Sequence, residues 1–90
     1  MNEQVWQQAS ECVSTQVEDD LILLSLDLGR YFSLNATAAA VWEALVSPIS
    51  ERALVDVLTA RFDIDADQCL LAVRRVLDDL AAKGLVKASS

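Results

Sequence analysis

The sequence predicts an α+β fold in which a three-stranded antiparallel sheet is followed by three helices. Three observations predict it. Ahead of residue 35 the apolar residues alternate, or run in short uncharged stretches, between clusters of turn-forming residues, which is the pattern of strands. From Asn35 onward they recur at helical spacing in three segments, broken first by Ser47-Pro48 and then by "DIDADQ". The last segment stops at Gly84, a residue that takes the left-handed conformation ending many helices.

Each element can be justified in turn. "CVSTQV" (Cys12–Val17) alternates, and Glu18, Asp19 and Asp20 read as a turn. "LILLSL" (21–26) is a short apolar run that pairs with it. "DLG" (27–29) supplies turn chemistry for a third strand, Arg30 to Leu34. Period-two geometry sets Tyr31 and Ser33 on one face and Arg30, Phe32 and Leu34 on the other. Asn35 is a good N-cap, because its side-chain oxygen can accept a first-turn N–H and let a strand become a helix without a loop. The glycosylation pattern Asn35-Ala36-Thr37 is better read as that cap, since no secretory signal accompanies it.

The first helix runs to about Val46 with Val41, Trp42 and Leu45 facing the core, and stops before proline, whose predecessor avoids helical geometry. Ser50 caps a second helix carrying Leu54, Val55, Leu58 and Phe62. Asp65, with Gln68 three residues on, resembles a capping box for a third helix over about 66–83, with Ile64 able to staple onto Cys69. Its core stripe is Cys69, Leu70, Val73, Val76, Leu77 and Leu80. Leu85 can fold back onto Leu80, and "LVKA" reads as a short extended piece closing against the sheet.

Ninety residues with 53% apolar content, two Gly and one Pro make one domain with a single modest core, and exclude disordered and collagenous classes. No stretch is long and apolar enough to span a membrane, and "MNEQVWQQAS" lacks the regions of a signal peptide, so the expected location is the cytoplasm. Residues 1–11 read as a candidate flexible arm in which Val5 and Trp6 could dock, and residues 12–90 as the folded domain. Cys12 and Cys69 are far apart, form no C-x-x-C and read as buried thiols. The net charge is -7, and residues 1–34 hold six acids against Arg30 alone. Nucleic acid would require the opposite sign on a contiguous face.

Two features stand apart from the core. Leu71 falls off the apolar stripe of the third helix, in a row with Asp67, Arg74 and Asp78 at helical-neighbour spacing. Either it is an ordinary exposed leucine, or these four residues line a groove with an apolar floor and charged sides. The third strand carries one charge and two aromatic rings, which suits an edge that receives an extended peptide. A covering helix would satisfy that edge equally well.

The run "LLSLDLGRYFSLNATAAAVWEAL", with "RFDIDAD" and "VLDDLAAKGLV", resembles the PqqD family, the small modules also called RiPP recognition elements. It is most similar to the stand-alone versions from lasso-peptide clusters, often called B1 proteins, over about residues 12 to 87. "GRYFSLN" joined to "TAAAVW", and "LAAKGLV", are the most specific pieces. The resemblance implies a winged helix-turn-helix fold that binds the leader segment of a ribosomally made precursor as an added strand. It also implies presentation of that peptide to maturation enzymes, most simply a leader peptidase, with no catalysis and no cofactor or metal. The docking strand would then be Arg30, Tyr31, Phe32, Ser33 and Leu34, and the facing helix surface Asp67, Leu71, Arg74 and Asp78. Two departures are Ser25, where relatives often carry an acid, and Leu28, where many are polar or basic.

A DNA-binding winged helix is the nearest rival, but its third helix should be basic, whereas Asp67, Asp78 and Asp79 here balance Arg74, Arg75 and Lys83. An enzyme is disfavoured by the lack of histidine, of a Gly-rich phosphate loop and of spaced metal ligands. A general protein-interaction domain is the remaining alternative.

Overall fold

The computed structural model, which describes residues 4–89, contains β1 (Val5–Gln8), β2 (Cys12–Val17), β3 (Asp20–Ser25), β4 (Arg30–Leu34), α1 (Ala36–Ala44), β5 (Ile49–Ser50), α2 (Glu51–Arg61), α3 (Ala66–Ala82) and β6 (Val86–Ser89). The expected meander is present as β2-β3-β4, antiparallel throughout. The three expected helices follow it in an α+β, winged-helix-like arrangement. A second three-stranded sheet, β5-β1-β6, was not expected.

Its central strand lies in the segment read as a candidate arm. Val5 and Trp6 dock, as the sequence allowed, by pairing with β6 on one side and β5 on the other. Residues 1–3 lie outside the described residues. The "LVKA" segment likewise closes on β1 rather than on the meander. Beyond its strand partners, β1 is tied to the end of α1. The Gln8 side chain donates to the Trp42 carbonyl at 2.9 Å, and the Gln8 backbone N–H donates to the Leu45 carbonyl at 3.2 Å.

The ends of the helices follow the sequence closely. Asn35 Oδ1 accepts the Ala38 N–H at 2.9 Å, Ser50 Oγ that of Ala53, and Asp65 Oδ2 that of Gln68. At the far end of α3, Gly84 takes φ +80°, and the N–H groups of Gly84 and Leu85 donate to the carbonyls of Ala81 and Leu80. That pair of bonds, with Leu80 and Leu85 both buried, is the Schellman ending.

One core lies between the inner face of the meander and the three helices. Leu21, Leu23, Phe32 and Leu34 contribute from the sheet, Val41, Trp42 and Leu45 from α1, and Leu54 and Leu58 from α2. Cys69, Val73, Leu77 and Leu80 contribute from α3, whereas Leu70 and Val76, expected on the same stripe, flank it half-buried. Both cysteines are free, with Cys12 only half-buried because β2 is the outer strand of the sheet. No described helix is long and apolar enough to cross a membrane.

The two departures from the family pattern have a structural account. Ser25, fully buried, bonds Ser10 Oγ at 2.6 Å, and its Oγ accepts the Leu28 N–H at 3.1 Å, so a hydroxyl holds the turn between β3 and β4. Leu28 Cδ1 reaches the end of α3, 3.7 Å from where a side chain on Gly84 would begin, which favours an apolar residue there. Ser25→Ala removes both bonds and leaves the buried Ser10 hydroxyl without its partner. The expected cost is about 1–3 kcal/mol, read as a lowered midpoint in urea unfolding; an unchanged midpoint would mean that the turn holds without this hydroxyl.

Candidate functional site

β4 is an outer strand of the meander, paired with β3 on one side only. In an antiparallel ladder alternate residues aim their N–H and C=O groups at the partner, so the others on β4 point away from β3. No hydrogen bond among the described residues reaches them. Phe32 and Leu34 are buried in the core, while Tyr31, 73% exposed, and Ser33 lie on the opposite face. Arg30 sits over the Phe32 ring at 5.4 Å and has no carboxylate partner among the described residues. Of the five strand residues singled out from sequence, Phe32 and Leu34 therefore offer backbone alone to a visitor, and Arg30, Tyr31 and Ser33 offer side chains as well.

The free edge runs alongside α3. Leu28, just before β4, lies at Gly84, just beyond α3. Thr37, just after β4, shares an apolar cavity with Cys69 and Ala72 near the start of α3. Strand and helix are thus antiparallel neighbours, each packed on α1, with little backbone contact between them. The side of α3 that carries Ala72 continues through Val76, Asp79 and Lys83 at three- and four-residue spacing. Ala72, Val76 and Lys83 are half-buried, and Lys83 bonds Asp79 at 2.9 Å. Near the start of α3 on this flank lies a cavity of about 150 Å³, lined by Thr37, Leu58, Phe62, Ile64, Cys69 and Ala72. Burial pushes the Cys69 thiol pKa up, and its Sγ lies 3.9 Å from the Val55 carbonyl, so it lines the cavity as a neutral group.

The helix residues expected to face the strand are distributed differently. Leu71 is 64% exposed on the outermost ridge of α3, with Asp67 and Asp78 exposed beside it. Arg74 turns to the far flank, where its Nε meets Glu51 of α2 at 3.3 Å and it borders a cleft with Gln4, Arg52 and Leu70. The four are neighbours along one helix, with Asp67, Leu71 and Asp78 on its exposed crest and Arg74 turned toward α2. Helical periodicity identifies the exposed side of α3 and cannot tell on which flank the sheet lies. The side of α3 toward which β4 lies follows from the tertiary return that brings Leu28 to Gly84. Among the described residues no group of three His, Cys, Asp or Glu side chains is placed to hold a metal ion.

Comparison with known families matches residues 20–86 to coenzyme PQQ synthesis protein D (PqqD), a stretch that includes the whole of β3, β4 and the three helices. The chain belongs to the PqqD family. Two solved structures are similar to this PqqD-family chain. One is TbiB1 in complex with the TbiA(beta) leader peptide, 28% identical with a TM-score of 0.75, covering 90% of this chain and 94% of that one. The other is a lasso peptide synthetase B1 complexed with the leader peptide, 21% identical with a TM-score of 0.73, covering 91% and 96%. The second likeness is one of fold. Comparison with curated proteins finds no match.

The exposed crest of α3 makes a direct stability test of this placement. Leu71→Glu and Arg74→Ala are expected to change unfolding free energy by less than about 0.5 and about 1 kcal/mol respectively, since the first touches no core atom and the second removes one exposed ion pair. A loss of several kcal/mol in either, measured by chemical denaturation, would put that residue in the core instead.

Proposed function

We propose that this PqqD-family protein is a non-catalytic recognition module that binds the leader segment of a ribosomally synthesised precursor peptide, in lasso-peptide biosynthesis, and presents it to a maturation enzyme, most simply a leader peptidase. The observation that carries the reading is the unpaired outer edge of β4, whose two ends lie near the two ends of α3. TbiB1, similar over nearly its whole length, was solved with a leader peptide, which supports the same class of ligand here.

In this reading the leader adds as a fourth strand along Arg30, Tyr31, Phe32, Ser33 and Leu34, and backbone hydrogen bonds supply sequence-independent affinity. Alternate leader side chains then turn toward α3, one every second residue. Ala72 and Val76 give them an apolar wall, with Asp79 and Lys83 as polar margins and Leu71 on the crest above. The end cavity, at about 150 Å³, suits one leucine- or phenyl-sized side chain, because an apolar cavity of that size holds a benzene ring. Specificity would reside in that anchor and in what pairs with Arg30. Nucleic acid is not the partner in this reading, since the exposed side of α3 mixes Asp67, Asp78 and Asp79 with its cations.

Two measurements test the reading. In calorimetric titrations with separate leader and core halves of the precursor, only the leader half is expected to bind; equal binding of both would overturn it. Ala72→Glu places a carboxylate at the mouth of the cavity and is expected to weaken leader binding at least about ten-fold, on the order of 1.4 kcal/mol. Arg74→Glu, on the far flank, is expected to leave affinity within about two-fold, or about 0.4 kcal/mol. If Arg74→Glu costs as much as Ala72→Glu, the leader crosses the crest of α3 and the groove has been misassigned.

A further inference from the structure

The outer face of the meander has an apolar centre and no covering element among the described residues. The register fixes which side chains lie there: Val13, Thr15 and Val17 from β2, Ile22 and Leu24 from β3 with Asp20 at its end, and Tyr31 and Ser33 from β4. Val13 and Val17 are 55% and 49% exposed, and Ile22 and Leu24 are only half-buried although no element covers them. At about 4.8 Å between strands and about 20 Å of strand length, this face amounts to roughly 300 Å², the size of the largest patch on an ordinary monomer and commonly a functional one.

Acids surround it. Glu18, Asp19 and Asp20 stand at the end formed by the β2–β3 turn, and Glu11 and Asp27 at the other. None of the five has a cation within bonding distance among the described residues. Glu18 holds its place in the turn at φ +56°, a conformation that favours glycine.

We infer that this face docks a protein surface with an apolar centre and a basic margin, belonging to the maturation enzyme that receives the leader; this rests on the function proposed above. Charge decides against a second copy as the occupant, because two such faces would bring five unpaired acids against five. The small area decides against a permanent complex, since stable partners each bury about 800 Å². A transient, charge-steered encounter fits both facts. Continuity with the leader site fits as well. Tyr31 belongs to this face and to the docking strand, so a leader added to β4 widens the face by one strand and offers the enzyme a surface that exists fully only when cargo is aboard.

The test uses the full chain, a synthetic leader peptide and the purified processing enzyme encoded beside the precursor. In the double variant Val13→Asp, Val17→Asp, leader affinity is expected to stay within about two-fold while association of the loaded complex with the enzyme falls at least about ten-fold. Asp19→Lys, Asp20→Lys leaves the apolar centre intact and is expected to weaken the same association. It does so even if the valine variant fails to fold. Wild-type association is expected to fall as salt rises from about 0.05 to about 0.3 M. Undiminished enzyme association in the two charge-altered proteins overturns the inference, as does a wild-type protein that pairs with itself through this face in sedimentation. Failure of the wild type to bind leader at all is a different result, and it overturns the proposed function instead.

Discussion

The structure turns on the junction at Asn35. Its backbone is still extended, ψ 178°, while its side chain already accepts the N–H of Ala38 in the first turn of α1. A single residue thus ends a strand and begins a helix, with no loop to drift in. Because β4 is buried on one face through Phe32 and Leu34, and α1 through Val41, Trp42 and Leu45, the junction welds the edge strand to the centre of the core. The edge that would bind a peptide is as rigid as the core behind it, which spares the complex much of the ordering cost that mobile binding loops carry.

Around that junction the surfaces separate by task. The inner face of β4 packs the core, its free edge meets the α3 groove, and its outer face continues across β3 and β2. The two flanks of α3 divide in the same way. Ala72 lines the cavity beside Thr37, while Leu70 and Arg74 border α2 and the start of β1. If the proposed leader and enzyme contacts hold, they can vary independently, although one strand would take part in both.

Much of this was legible in the sequence because local chemistry decides it. The bounds of β2 and β4, the caps at Asn35, Ser50 and Asp65, and the ending at Gly84 depend on residues within a few positions of one another. The second sheet was not legible. Val5–Gln8 does not alternate, β5 is two residues long beside a helix cap, and their pairing joins residue 5 to residues 50 and 89. Nothing local encodes a bond between the Gln8 side chain and the end of a helix 34 residues away. The candidate site mixes both kinds of signal. The strand pattern marks β4, but the flank of α3 beside it follows from a tertiary return, Leu28 to Gly84, that periodicity does not carry.

The same second sheet has an architectural consequence. β1 and β6 lie side by side and antiparallel, Val5 opposite Ser89, so both ends of the described chain leave the fold at one place. That place borders the Arg74 flank of α3, across the helix from β4. Such a domain behaves as a cassette: spliced into a loop of a larger enzyme, or joined end to end with one, it would enter and exit through a single doorway and leave the peptide edge in the open.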